Sequence, residues 1–235
     1  MKKITFLLLS IILFSCSKNE NINTDITVVT TSKSLYKGDK FQIKAISDLD
    51  ILFESENKFH ATVTENGLVT TGFVGNTSIF ISNDHNNVEF SITVNPRYTL
   101  YPDPLLNFKL TKKELINLLG SPNNVSDNAI KYTDYSDVSD YISYIFNEED
   151  KLTYVRVLVN KNNYEDLVLR FLDERYALHG TVAYEGLGNG TLYYNDFEKS
   201  TATLSVFVYN FDAENFAVLY FPNSTTASVV RLLSK

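Results

Sequence analysis

The chain has no tryptophan and a single cysteine, Cys16. One cysteine excludes an internal disulfide and any zinc site built from several thiolates. The histidines, His60, His85 and His179, are scattered, and no two have metal-ligand spacing. Asp134, Asp137 and Asp140, and the run Glu148-Glu149-Asp150, lack the Asp-x-Asx-x-Asx-Gly order of a calcium loop and read as solvated turns. No Gly-x-Ser-x-Gly elbow is present. Gly186-Leu187-Gly188-Asn189-Gly190 is rich in glycine but opens no helix, so it reads as a wide turn between strands. Abundant carboxylates argue for no glycoside hydrolysis without a cleft. The expectation is a protein that is not an enzyme, with no catalytic residues, no metal and no cofactor. A net charge of −7 makes the chain a poor candidate for nucleic acid, and no nucleic-acid partner is expected.

What is present begins at the N-terminus. Lys2 and Lys3 precede Ile4 to Phe14, a run that is apolar except for Thr5 and Ser10. A membrane helix needs about 20 apolar residues, so this run is too short to span. Its proportions are those of a secretory signal over residues 1–15. The run ends Leu13-Phe14-Ser15-Cys16, which resembles the lipobox of bacterial lipoproteins. That resemblance implies cleavage before Cys16 and lipid on the cysteine. It implies a place in the cell envelope, anchored in the outer membrane on its outer or periplasmic side. Several acyl chains together make a stable anchor. Cleavage would also remove Lys2 and Lys3, leaving the rest two units more acidic. Residues 16–25 are polar and Asn-rich, as a flexible tether would be.

The aromatic content is 15 Tyr and 16 Phe, and with the Thr, Val and Ile it favours strands. Residues 26–95 alternate apolar and polar. The segments Ile26 to Val29, Phe41 to Ala45, Ile51 to Phe53, His60 to Val63, Leu68 to Thr70, Thr77 to Ile81 and Val88 to Val94 read as short strands. Leu35 to Asp39 reads as a turn around Gly38, and Asn66-Gly67 as a hairpin. This pattern indicates a β-sandwich. Leu35-Tyr36-Lys37-Gly38-Asp39, Phe53-Glu54-Ser55-Glu56-Asn57, Ala61-Thr62-Val63, Asn66-Gly67-Leu68-Val69-Thr70 and Gly75-Asn76-Thr77-Ser78-Ile79 resemble, in order, the motifs of bacterial Ig-like domains of group 2. The family often has Trp where this chain has Phe53. The resemblance implies a module for display or binding.

Pro96, Pro102 and Pro104 mark a stiff linker over residues 96–109. In residues 110–235, Thr111 to Glu114 forms a capping box for a short helix. Leu115, Ile116, Leu118 and Leu119 form its apolar face, and Gly120 and Pro122 end it. A second helix is expected from an Asn163 cap, with Glu165 and Asp166 in its first turn, Arg175 near its end, and Leu167, Val168, Phe171 and Leu172 buried. Strands are expected at 130–135, 141–146, 152–159, 181–185, 191–194, 203–211 and 216–221. Ile130 to Tyr135 aligns with Leu192 to Phe197, each following a helix and preceding a hairpin. The second half carries an extra strand pair near Gly180 to Gly190. Such a duplication resembles the tandem units of β-lactamase-inhibitor-like and small outer-membrane assembly lipoproteins.

The expected fold class is mainly β with two domains: an Ig-like β-sandwich, then an α+β domain of two helix-plus-antiparallel-sheet units with one sheet face open. Tyr132, Tyr135, Tyr141, Tyr144, Tyr154, Tyr184, Tyr193, Tyr194, Tyr209 and Tyr220 lie in or beside strands of the second unit. They form a binding face or flank the core. The expected role is a lipid-anchored binding or display module for a protein or glycan. The alternative is a periplasm-facing assembly or inhibitor lipoprotein that grips a partner protein.

Overall fold

A computed structural model describes residues 23–161 and 164–225. The signal run, the lipobox, Cys16 and Asn163 lie outside the described residues. Among those residues, no helix is long and apolar enough to cross a membrane. The described residues are mainly β, with two α-helices and several antiparallel sheets.

The first elements are β1 (Thr27–Val28), β2 (Ser32–Tyr36), β3 (Lys40–Gln42), β4 (Ala45–Ile46), β5 (Leu52–Ser55), β6 (Ala61–Val63), β7 (Leu68–Thr71), β8 (Gly75–Ser82) and β9 (Asn87–Asn95). They form a four-stranded sheet in the order β2-β9-β8-β5, a three-stranded sheet β3-β7-β6 and a small pair β1-β4. Alternation decides the burial. Ile79 and Ile81 of β8 and Phe90, Ile92 and Val94 of β9 point inward, where they meet Ile43, Ala61 and Val69. The expected turn at Leu35 to Asp39 is corrected: β2 continues through Tyr36 as a parallel partner of β9, and the bend comes at Gly38, with φ of 86°. The turn before β7, Glu65-Asn66-Gly67, holds Gly67 at φ 77°, where a Cβ would lie 2.9 Å from the Phe53 ring. Phe53 therefore packs over this turn because glycine leaves room for it.

The second set is α1 (Lys112–Leu119), β10 (Asn124–Val125), β11 (Ala129–Ser136), β12 (Ser139–Phe146), β13 (Leu152–Asn160), α2 (Glu165–Asp173), β14 (Ala177–Tyr184), β15 (Gly188–Tyr194), β16 (Leu204–Asn210) and β17 (Asn215–Pro222). All eight strands join one antiparallel sheet in the order β10-β11-β12-β13-β17-β16-β15-β14. Each half is a helix followed by a four-stranded meander, and the last strands of the halves, β13 and β17, pair at the centre. The order reads the same from either edge. The expected extra strand pair is thus one strand: β14 is a full edge strand where its counterpart β10 has two residues. The Gly186 to Gly190 segment is also shorter as a turn than expected, since β15 begins at Gly188.

Both helices lie on the same face, over Ile130, Val155, Val157, Val206 and Val218. The capping box of α1 forms as expected, with Glu114 N donating to Thr111 Oγ1 and Thr111 N donating to the Glu114 carboxylate. Its apolar face is narrower than expected, because the helix rests on the sheet by Leu115 while Leu118 is 64% exposed. On α2, Val168, Phe171 and Leu172 are buried but Leu167 is not. Tyr164 occupies the N-cap without a side-chain cap bond. The Pro-bearing segment is no free linker. Leu100 and Tyr101 are buried in the core beneath the helices.

Candidate functional site

Strand periodicity divides the tyrosines between the two faces of the eight-stranded sheet. Tyr132, Tyr135, Tyr144, Tyr193 and Tyr220 face the helices. Their hydroxyls tie the covering segments down. Tyr132 donates to Gly120 O at 2.8 Å, Tyr135 to Pro102 O at 2.5 Å, and Tyr144 accepts from Leu105 N at 3.4 Å. Tyr101 and Tyr220 share a hydrogen bond of 2.7 Å. Burial pushes the Tyr144 phenol up to about 12 and those of Tyr101, Tyr135 and Tyr220 further, because the phenolate loses its water. These tyrosines are structural. Between Tyr132, Tyr135 and Tyr144 and the chain at Pro102 and Pro104 lies a cleft of about 420 Å³, lined also by Leu119.

Tyr141, Tyr154, Tyr184, Tyr194 and Tyr209 take the opposite face, where no described helix or second sheet lies over them. They share it with Ile145, Leu158, Leu192, Phe207, Ala217, Leu219 and Phe221, and loop residues Leu187 and Ala202 close its rim. The floor is tightly filled. Phe207 lies over Gly190, where a Cβ would come within 2.4 Å of its ring, and Tyr209 stacks on Phe207 at 5.5 Å. Tyr154, Tyr194 and Tyr209 are therefore buried, while Tyr141 and Tyr184 keep part of their surface in water.

Two cations stand on this face. Register pairs Lys131 with Ser143 and Ser143 with Arg156. Lys131 Nζ is 3.6 Å from the centre of the Tyr141 ring, and Arg156 Cζ is 5.3 Å from that of Phe211. Arg156 Nε is buried and has no hydrogen-bond partner among the described residues. Burial raises the phenol pKa values of Tyr154 and Tyr209, and the positive charge of Arg156 partly opposes this in both. Of the two carboxylates within β11 to β17, Asp140 faces the other side, and Asp134, at a left-handed bulge, accepts from the Thr133 hydroxyl at 3.4 Å.

A charged junction escaped the sequence reading. Glu174 and Arg175 are buried just past α2. The Glu174 carboxylate accepts from Arg97 N at 2.9 Å, Tyr98 N at 3.0 Å and Arg175 Nη1 at 2.6 Å. Its carbonyl accepts from Val74 N at 2.8 Å, and Lys37 Nζ donates to Asp173 O at 2.5 Å. The carbonyl end of α2 is thus satisfied by donors from the first sheets, with the cation where the helix dipole favours one. Phe59, Phe73 and Phe197 pack together beside it, with Phe73 and Phe59 stacked at 4.2 Å. A charged pair following an amphipathic helix usually stands in water, so sequence offered no signal for this site.

The remaining candidates are dispersed. His60 bonds through Nδ1 to Phe73 O at 3.0 Å, and His85 and His179 are exposed. Asp134, Asp137, Asp140, Glu148 and Glu149 are exposed, and Asp150 is half-buried. Among the described residues, no group of His, Cys, Asp and Glu gathers as a metal site would.

No family model matches the chain, and no curated protein does. Solved structures of the S-layer protein SbsC align with it. Domains 5–6 match at 12% identity over 87% of this chain and 86% of that one, with a TM-score of 0.28. Domains 4–9 match at 12% identity over 87% of this chain and 28% of that one, also with a TM-score of 0.28. Likeness at this level carries no argument about fold or role.

Proposed function

We propose that this chain is a lipid-anchored protein of the bacterial cell envelope, held at the outer membrane through Cys16. In this reading it is not an enzyme. The Ig-like first unit spaces and orients the second, and the open face of the eight-stranded sheet binds a protein or glycan. The observation that carries the binding role is that face: aromatic rings interleaved with Lys131 and Arg156, with helices only on the opposite side. The lipobox run Leu13 to Cys16 supports the anchor. The second reading, a periplasm-facing lipoprotein that grips a partner protein, is favoured by the repeated helix-plus-meander order across the sheet.

Two experiments test this. Cys16→Ser must abolish incorporation of labelled fatty acid; a variant that still labels refutes the anchor. Retention of the purified full chain on envelopes from a strain lacking it is then compared with that of Tyr141→Ala/Phe211→Ala. Equal retention removes the face from the reading. Protease treatment of intact and lysed cells separates the alternatives, because digestion on intact cells supports display and protection supports the periplasmic partner.

A further inference from the structure

We infer that the Lys131–Arg156 corner of the open face is a binding site for an acidic polysaccharide whose sugar rings carry carboxylates. This deepens the binding reading above and rests on it. Register places the cations in one row, one strand apart on either side of Ser143. Each lies against an aromatic ring, Tyr141 or Phe211, and all four side chains keep part of their surface in water. The corner is therefore a pair of units, each a flat apolar ring beside a positive charge.

A sugar carboxylate next to a pyranose ring has the complementary shape. The ring's apolar face stacks on Tyr141 or Phe211, and the carboxylate meets Lys131 or the Arg156 fork. Charge complementarity is local. The whole chain carries −7, yet across β11 to β13 this face sets Lys131 and Arg156 against one carboxylate, that of Asp134 beside Thr133. Exposed Thr133, opposite Tyr141, can bond a sugar hydroxyl.

An acidic protein segment fits less well. Protein partners draw their affinity from aromatic anchors and apolar area freed from water, about 800 Å² on each side. Here that area is already sealed, with Phe207, Ala217 and Leu219 all at 0% exposure. At this corner two rings and two cations remain, which suit a polymer that binds by stacking and charge repeated along its length.

The test is calorimetric titration of the full chain with oligogalacturonate, with a neutral malto-oligosaccharide of the same length, and with polyglutamate. The acidic saccharide should bind, weaken as salt rises, and exceed both other probes by about tenfold or more, roughly 1.4 kcal/mol. Lys131→Gln and Arg156→Gln should each weaken it about tenfold, with urea midpoints kept as the folding control, and Arg156→Lys should restore part of the loss. Equal binding of the neutral saccharide overturns the role of charge. Equal binding of polyglutamate overturns the saccharide in favour of an acidic protein. Absence of binding to all probes overturns the inference. If envelope retention still depends on Tyr141 and Phe211 in that case, the broader binding reading stands without it.

Discussion

Replacing Glu174 by alanine would show how firmly the first sheets are tied to the second. The carboxylate is 7% exposed and holds three donors: Arg97 N, Tyr98 N and Arg175 Nη1. Alanine strands a buried guanidinium and two partly buried backbone amides. An orphaned buried donor costs about 1–3 kcal/mol. Removing one partner of a buried ion pair costs about 3–5 kcal/mol. These losses overlap, since one deletion causes both. Asp103, 3.6 Å from Arg175 Nε but 78% exposed, compensates only part of the remaining charge. The expected destabilisation is about 4 kcal/mol. At about 2–4 °C per kcal/mol for a chain of this size, the melting midpoint falls by about 8–16 °C. Glu174→Gln keeps the shape and one acceptor oxygen, and should lose about half as much. Urea unfolding followed by circular dichroism and by tyrosine emission reads both, the latter unmasked because the chain has no tryptophan. A loss below about 0.5 kcal/mol, the scale of an ordinary surface change, would refute the reasoning.

Other consequences follow from single contacts. Thr111→Ala removes the N-cap of α1 and should cost about 1 kcal/mol in urea midpoint, while Lys113→Ala, on the same turn, serves as the control. Gly190→Ala would press a Cβ to 2.4 Å from the Phe207 ring and 2.3 Å from Val208 O. It should destabilise by about 1–3 kcal/mol, and a neutral result would mean that Phe207 is freer to move than its packing implies. Glu114 and Asp212 have carboxyls held below the usual range, Glu114 by the Thr111 backbone and hydroxyl and Asp212 by the Asn215 side chain and nearby amides. Their stabilisation is present above the unfolded carboxylate pKa of about 4 and fades as pH falls through the lowered folded values, so thermal scans should weaken on the acid side. At the other end, buried phenols such as Tyr144, raised to about 12, favour the fold fully below the unfolded value and lose that contribution as pH climbs through the folded one. Phenolate absorbance should therefore rise in two stages, the later one together with unfolding.

Much of the strand map was legible because the side-chain period of a half-buried strand is written directly in the residues. β8, β9, β12, β13, β16 and β17 all fall where alternation or a continuous apolar run predicted them. The Thr111 capping box was legible for the same local reason. Helix burial was not. Leu118 and Leu167 sit beside apolar neighbours in sequence, yet each is turned to solvent. A short helix laid on a sheet buries one narrow stripe, and the sheet's position sets which stripe that is. The region around Pro102 and Pro104 read as a linker because its composition is a linker's. It is instead held down by Tyr135 and Tyr144, whose hydroxyls reach it from distant strands.

The sequence by itself determined the local patterns: the apolar run ending in Cys16, the alternation that makes strands, the turn at Asn66-Gly67, and the cap of α1. These depend on residues within a few positions of each other, so their physics survives reading in one dimension. Only the tertiary structure decided the rest. It joined both halves into one sheet through β13 and β17, split the tyrosines between a covered and an open face, brought Lys131 and Arg156 into one row, and buried Glu174 against amides 76 and 77 residues away. Those outcomes turn on which strand lies beside which, and on where a charge finds partners when water is excluded. Neither is encoded in any one stretch of the chain.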